Sequence, residues 1–345
     1  MKIKVIGAGS IGIHLSQAAR RMGWDVTIVD ANPDALVRLP EIYAKRYGAW
    51  DTSIQSFVAG TEPKGGFDVI AIGTPPDVRM KVALAALAEK PRILQLEKPL
   101  CAPTLDGLEN FLKAYRAQKN TLGVVGYDHA VAESITAAAE VIRGGEIGDI
   151  ETIDVAFREH WKGIFAAHPW LKGPEDTYLG YWRRGGGAGC EHSHALHLFL
   201  CFARMSGLGN IVEQKSTLDM RSVGHAQYDA VCALTFKTDT GKVGRVLQDV
   251  ITHPTRKEVY VQGTTGFVEV LINGIPEGDL VRIVRGSEVE EKTFPKKRPD
   301  DFYREMLHIN EIITGKIDGN TSPLCLDSGV EVMKILNNAY IASGH

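Results

Sequence analysis

The feature that most constrains this chain lies in its first thirty residues. Ile3–Ile6 is a short apolar run, the pattern of a strand buried in a parallel sheet. Gly7-Ala8-Gly9-Ser10-Ile11-Gly12 follows at once, and His14–Met22 then reads as a helix. A second strand, Asp25–Val29, ends at Asp30, about twenty residues on from the glycines, where a dinucleotide fingerprint carries its acid. In such a unit the first glycine permits the tight turn and the second lets a pyrophosphate approach the backbone. The third lets the helix pack closely on the strand. The helix start, at Ser10 and Ile11, offers N–H groups and the positive end of the helix dipole to phosphate. Strand, glycines, helix, strand and acid in this order predict a Rossmann dinucleotide site at Gly7, Gly9, Ser10, Ile11, Gly12 and Asp30. A carboxylate at position 30 accepts hydrogen bonds from ribose hydroxyls and repels a 2′-phosphate. No arginine follows it directly, so the expected cofactor is NAD, with NADP less favoured.

Strand–helix alternation continues with Phe67–Ile72, Val78–Ala88, Arg92–Leu96, Leu105–Ala117 and Thr121–Gly126. Two of these strands end in breakers, Gly73-Thr74-Pro75-Pro76 and Glu97-Lys98-Pro99. Carboxyl ends of strands are where open α/β sheets bind ligands. Beyond the helix Ala132–Arg143 the pattern changes to a series of strands linked by turn residues: 150–157, 211–219, 229–238, 244–252, 258–263, 267–272 and 281–285. Helical stretches Asp301–Ile313 and Leu326–Ala342 close the chain. The expected fold is α/β: an N-terminal Rossmann doubly wound parallel sheet over 1–122, then an α+β domain over 123–345 with a large, mostly antiparallel open sheet. The second domain would serve substrate binding and oligomerisation, and the last helix is a candidate to pack back on the first.

Bulk properties narrow the partners. With 39 basic against 42 acidic residues and a formal net charge of −3, the chain has no block of like charge to attract nucleic acid or an anionic membrane. The apolar run Ala195–Ala203 falls far short of the roughly 20 residues of a bilayer span. The N-terminal apolar stretch runs straight into glycines and does not read as a signal peptide. Five scattered cysteines without C-x-x-C spacing suit reduced thiols, so a cytoplasmic protein is expected.

Several further segments together resemble the family of glucose–fructose oxidoreductase and inositol dehydrogenase (Gfo/Idh/MocA), over nearly the whole chain. These are Thr74-Pro75, Glu97-Lys98-Pro99-Leu100, the strand ending in Gly126-Tyr127, and Gly185-Gly186-Gly187-Ala188-Gly189-Cys190-Glu191-His192-Ser193-His194. The ending, Phe302 to Glu305 and then Asp327–Ala342, is also similar. The resemblance implies a nicotinamide-dependent dehydrogenase acting on a secondary hydroxyl, or the matching ketone, of a sugar, cyclitol or related compound. It implies a catalytic lysine at Lys98, near the nicotinamide and the reacting hydroxyl, an acid/base histidine at His194 and an accompanying acid at Glu191. Thr74, Pro75, Glu97 and Lys98 join the cofactor residues. Glu191 and His194 stand three apart where four is the common spacing, His197 stands where many members have an acid, and Asp128-His129-Ala130 replaces an N-x-R-like segment. These departures bear on the substrate more than on the chemistry.

The chemistry itself follows from residue types. Removing a hydride from an alcohol carbon needs a base for the hydroxyl proton and a group that steadies the alkoxide. Imidazole suits the first role, and a lysine can polarise the hydroxyl or share in the proton transfer. A metal cluster of His192, His194, His197 and Glu191 is disfavoured, because His192 points away from the helix face that His194 and His197 share. His197 reads as a core histidine. Between the motifs lies a polar–aromatic set, Arg158, His160, Trp161, Trp170, Tyr181, Trp182 and Arg183, suited to sugar rings or an anionic tail. The candidate substrate-binding residues are Tyr127, His129, Arg158, Trp182 and Arg183; packing or an oligomer interface explains the tryptophans equally well. A large open sheet also suits burial in a homodimer or homotetramer. Two further readings stay open: redox-neutral glycosidase, epimerase or lyase chemistry through a transient keto-sugar, and a non-catalytic NAD-binding subunit.

Overall fold

The computed structural model describes residues 1–166, 171 and 173–345. The chain forms two compact units. The first comprises 1–101, 106–128 and 298–326; the second comprises 102–105, 129–297 and 327–345.

The first unit is built on β1 (Lys2–Ile6), α1 (Ser10–Arg21), β2 (Asp25–Asp30), α2 (Pro33–Tyr47), β3 (Gln55–Val58), β4 (Val69–Ile72), α3 (Pro76–Leu87), β5 (Ile93–Glu97), α4 (Leu108–Arg116) and β6 (Leu122–Gly126). All six strands are parallel, in the order β3-β2-β1-β4-β5-β6. The order reverses between β1 and β4, and at such a switch point the strand ends leave a crevice. β4 and β5 are buried along their whole length, as expected of strands covered on both faces. One polar residue is buried within β1: Lys4, fully enclosed, pairs with Glu89 at 2.7 Å and donates to the Pro63 carbonyl at 2.8 Å.

The second unit contains α5 (Glu133–Arg143), β7 (Ile150–Arg158), α6 (Trp161–Ala166), α7 (Gly187–Glu191) and α8 (Ser193–Met205). Then follow β8 (Ile211–Val223), β9 (Ala226–Thr238), β10 (Val243–Asp249), β11 (Arg256–Gly263), β12 (Gly266–Ile275), β13 (Gly278–Arg285) and β14 (Glu288–Pro295). These strands form one eight-stranded sheet, ordered β14-β13-β12-β11-β7-β10-β9-β8. Its pairs are antiparallel except β7 with β10. Buried and half-buried positions alternate along β7, β11 and β13, so one face packs and the other is more open. Helices cover the packed face: Phe199 of α8 stacks on Phe236 at 4.9 Å, and Ser134 of α5 donates to Asp279 at 2.6 Å.

The last two helices part company. α9 (Arg298–Ile313) belongs to the first unit, where Phe302 stacks on His14 of α1 at 4.7 Å. α10 (Leu326–Ala342) lies almost wholly in the second, its Ile335 carbonyl accepting from Gln214 of β8 at 2.9 Å. α9 thus belongs with the parallel sheet although it follows the antiparallel one in the chain. Among the described residues all five cysteines are free thiols, and no helix is long and apolar enough to cross a membrane.

Candidate functional site

The glycine turn after β1 is fixed by close backbone approaches. Gly7 has a φ of +111°, and its N–H donates to the Val29 carbonyl at 2.7 Å. A Cβ on Gly12 would lie 1.8 Å from the Gly7 oxygen, so only glycine lets α1 come this near to β1. Gly9 differs: a Cβ there would meet nothing within 4 Å, so open space lies over the middle of the turn. The first turn of α1, with Ser10 and Ile11, carries no acidic residue and no side-chain cap. Its N-terminal N–H groups therefore face the turn without a capping oxygen. Asp30 ties the turn to β2. One carboxylate oxygen accepts from the Ala8 N–H at 2.7 Å and the other from the Asn32 N–H at 2.7 Å. Arg46 of α2 donates to the Ser10 hydroxyl at 3.0 Å, a cation beside the turn that no motif signalled.

The ends of β4 and β5 are joined by one buried guanidinium. Arg79 of α3, 2% exposed, donates to the Thr74 carbonyl at 3.1 Å and to the carbonyls of Glu97 and Pro99. Its rigid fork of donors sets the Thr74-Pro75 turn against Glu97-Lys98-Pro99 and so holds the backbone on both sides of Lys98. Glu97 itself is buried, and Gly126 leaves it room, since a Cβ at 126 would lie 2.7 Å from Oε1. Glu305 of α9 is fully buried in the same unit, accepting from Gln95 Nε2 at 2.7 Å. Glu97 Oε1 and Glu305 Oε2 have no hydrogen-bond partner among the described residues. Burial raises both carboxyls above the ordinary glutamate range. Asp128 raises both further, Glu97 also raises Glu305, and the Arg79 and Lys98 charges oppose the rise at Glu97. Tyr127, at the end of β6, is fully buried.

In the second unit the glycine run delivers Glu191 and His194. Gly185 and Gly187 have φ of +90° and +84°, and α7 ends at half-buried Glu191. His194 stands in the first turn of α8, 9% exposed, with the His129 ring centroid 4.6 Å away. Phe157 of β7 flanks both rings, at 5.6 Å from His129 and 6.4 Å from His194. His197, one turn on, is fully buried, with Nε2 3.3 Å from the Ser328 hydroxyl and 3.7 Å from Cys201 Sγ. His192 is buried as well.

The remaining sequence candidates each have partners within the second unit. Arg158 pairs with Glu258 at 2.9 Å. Trp182 is 3% exposed, stacks on Tyr340 at 4.6 Å and donates to Gln227 at 3.3 Å, while exposed Arg183 lies over its ring at 4.4 Å. Trp170 lies outside the described residues. Asp229 of β9, absent from the sequence candidates, is fully buried against the glycine run, and burial pushes its carboxyl up to about 7.

The buried acids give the first unit a pH signature. A carboxyl whose folded pKa is raised binds more protons folded than unfolded at pH above about 4.3, so stability falls as pH rises from there. Glu305→Gln keeps an oxygen for Gln95 and removes the buried charge. Its thermal unfolding, compared with wild type, is expected to show a gain of about 1–3 kcal/mol at pH 8.5 that shrinks toward pH 4.5. A gain independent of pH, or a loss at pH 8.5, contradicts this.

No protein-family model and no curated protein matches the sequence. Solved structures do. Levoglucosan dehydrogenase in complex with NADH superposes with a TM-score of 0.77 at 17% identity, covering 99% of this chain and 96% of that one. Aldose-aldose oxidoreductase from Caulobacter crescentus, complexed with glycerol, gives 0.75 at 17% identity, with 100% and 98% covered. An oxidoreductase from Agrobacterium radiobacter in complex with NAD+, L-tartaric acid and magnesium gives 0.76 at 16% identity, with 100% and 96% covered. Over its full length the chain has the fold of these oxidoreductases: a doubly wound parallel sheet followed by a large, mostly antiparallel one.

Proposed function

We propose that the chain is an NAD-dependent oxidoreductase that oxidises a secondary hydroxyl of a sugar, cyclitol or sugar derivative, or reduces the matching ketone. The observation that carries this reading is the glycine turn: open space over Gly9, the close approach at Gly12 and the carboxylate of Asp30. Gly7, Gly9 and the Ser10 and Ile11 N–H groups would hold the pyrophosphate of NAD. Arg46 adds positive charge at the end of α1 where the helix dipole is already positive, an arrangement that an anion relieves. Asp30 spends one lone pair on each of two backbone N–H groups, which leaves others for ribose hydroxyls. Thr74, Pro75, Glu97 and Lys98 line the neighbouring strand ends. The likeness to an oxidoreductase solved with NADH and levoglucosan supports the same assignment.

Bound NAD+ supplies the hydride acceptor. Lys98 places a cation at the substrate oxygen and steadies the alkoxide as it forms. His194 takes the hydroxyl proton, Glu191 orients the substrate or the base, and His129, its ring 4.6 Å from that of His194, contacts the same substrate. Tyr127, Arg158, Trp182 and Arg183 complete the proposed set, the buried ones by shaping its walls.

The open face of the eight-stranded sheet fits a second copy of this chain. Oppositely charged pairs, Arg245 with Asp154 and Arg282 with Glu269, border Tyr260, which packs on Phe267 at 5.0 Å. A face with both signs interleaved is self-complementary under a two-fold axis. Light scattering is expected to give a dimer or tetramer, and Tyr260→Asp to shift it to monomer; a monomeric wild type contradicts the assignment.

Turnover is tested with NAD+ and a panel of sugars, cyclitols, sugar acids and nucleotide sugars, read by absorbance and mass spectrometry. Net NADH is expected with at least one compound; product without net NADH would mark redox-neutral chemistry instead. Lys98→Met is expected to lower kcat by about 10³-fold or more while NAD+ binds as before. Unchanged turnover in that variant contradicts the role of Lys98.

A further inference from the structure

We propose that Asp229 is a positioning residue: its carboxylate fixes the backbone of Gly187–Glu191, and through it the placement of Glu191 and His194. The importance of that placement rests on the oxidoreductase reading above, whereas the geometry stands by itself. Asp229 projects from β9 and is fully enclosed. One oxygen accepts from the Gly189 N–H at 2.7 Å and the other from the Tyr340 hydroxyl of α10 at 2.5 Å. On the far side of the same residue, the Gly189 carbonyl accepts from Gln248 Nε2 of β10 at 2.9 Å. Gly189 is thus held at both its N–H and its carbonyl by side chains of two adjacent strands.

The fit is close enough to dictate sequence. A Cβ on Gly187 would lie 1.8 Å from Asp229 Oδ1, and its φ of +84° already favours glycine. A Cβ on Gly189 would lie 3.3 Å from Oδ2 and 3.2 Å from Leu336 of α10. Helix α7 has only five residues, too few to hold its own geometry, so its path depends on what lies beneath it. Glu191 is two residues past the Gly189 anchor and His194 five.

A buried carboxylate is an expensive way to hold a loop. The groups that act on it, the Tyr340 hydroxyl and the backbone N–H groups of Gly189 and Asp229 itself, carry no positive charge. Burial without a countercharge is costly, and a neutral side chain would avoid that cost. What the ionised acid offers is acceptance on both oxygens at once, matched here by two donors from different elements. A misplacement of about 1 Å at a reacting group can cost about 10²-fold in rate.

The test uses the full chain at pH 8.5. Hydrogen exchange at the Gly189 amide is expected to speed up by about 10-fold or more in Asp229→Ala, with the amides of β1 and α1 unchanged. Asp229→Asn, whose amide oxygen can accept from Gly189 while its NH2 donates to the Tyr340 oxygen, is expected to restore most of the protection. On a panel compound that wild type oxidises, Asp229→Ala is expected to lose about 30–100-fold in kcat, with KM and NAD+ affinity within about threefold. Asp229→Asn is expected to recover kcat to within about fivefold. Should the alanine variant fail to fold, Tyr340→Phe takes its place, with a smaller change of the same sign. Unchanged Gly189 exchange in Asp229→Ala or, failing that, in Tyr340→Phe overturns the proposal. So does a kcat that Asn fails to recover. The exchange measurement needs no substrate, so it decides the proposal even where no panel compound is turned over, an outcome that counts against the oxidoreductase reading alone.

Discussion

The first unit depends on the approach of α1 to β1, with the Cα of Gly12 so near the Gly7 carbonyl that no side chain fits between them. This contact sets the angle at which the helix leaves the sheet. The N-terminus of α1 therefore points at the open space over Gly9, and its uncapped N–H groups gather where an anion can reach them. Asp30 reinforces the arrangement from β2 through the Ala8 N–H, and the end of β4 abuts the turn at Gly73, 3.2 Å from a Cβ on Gly7. Ordinary apolar packing holds the rest of the parallel sheet. The turn is where backbone geometry alone decides what the unit can bind.

A second theme is the use of buried polar groups to hold strand and loop ends. Arg79 gathers carbonyls from two strand ends, and a guanidinium does this well because its donors are rigid and its charge faces several oxygens at once. Asp229 does the reverse, gathering donors around a carboxylate. Glu97 and Glu305 are different: each buries a carboxylate oxygen that has no hydrogen-bond partner among the described residues. Such groups cost stability, and proteins tend to keep them where binding or catalysis uses them. All of these groups hold or adjoin a segment that the sequence had marked for chemistry.

Much of this was legible in the sequence. The glycine turn, Asp30 and the alternation of strands and helices are local signals, and the parallel sheet follows from them. Much of the antiparallel series was equally readable, because buried positions alternate with more open ones along strands such as β7, β11 and β13. What escaped had physical reasons. β3 and β14 are polar sheet-edge strands, and Glu-Val-Glu-Glu-Lys-Thr-Phe-Pro has little apolar alternation to detect. Lys4 hides inside an apparently apolar strand because its partner, Glu89, is eighty-five residues away. Arg79, Asp229 and Tyr340 act through tertiary contacts with no motif around them. Nor did the sequence show that the Trp182 ring stacks on Tyr340 inside the second unit, since that contact joins residues 158 positions apart.

The central claim is that the turn at Gly7–Gly12, with Asp30 at the end of β2, recognises NAD. Titration calorimetry of the wild-type chain with NAD+ and with NADP+ tests it most directly. The account predicts saturable binding of NAD+ and at least about tenfold weaker binding of NADP+, because the Asp30 carboxylate repels a 2′-phosphate. Absence of NAD+ binding, or equal or tighter binding of NADP+, would contradict it.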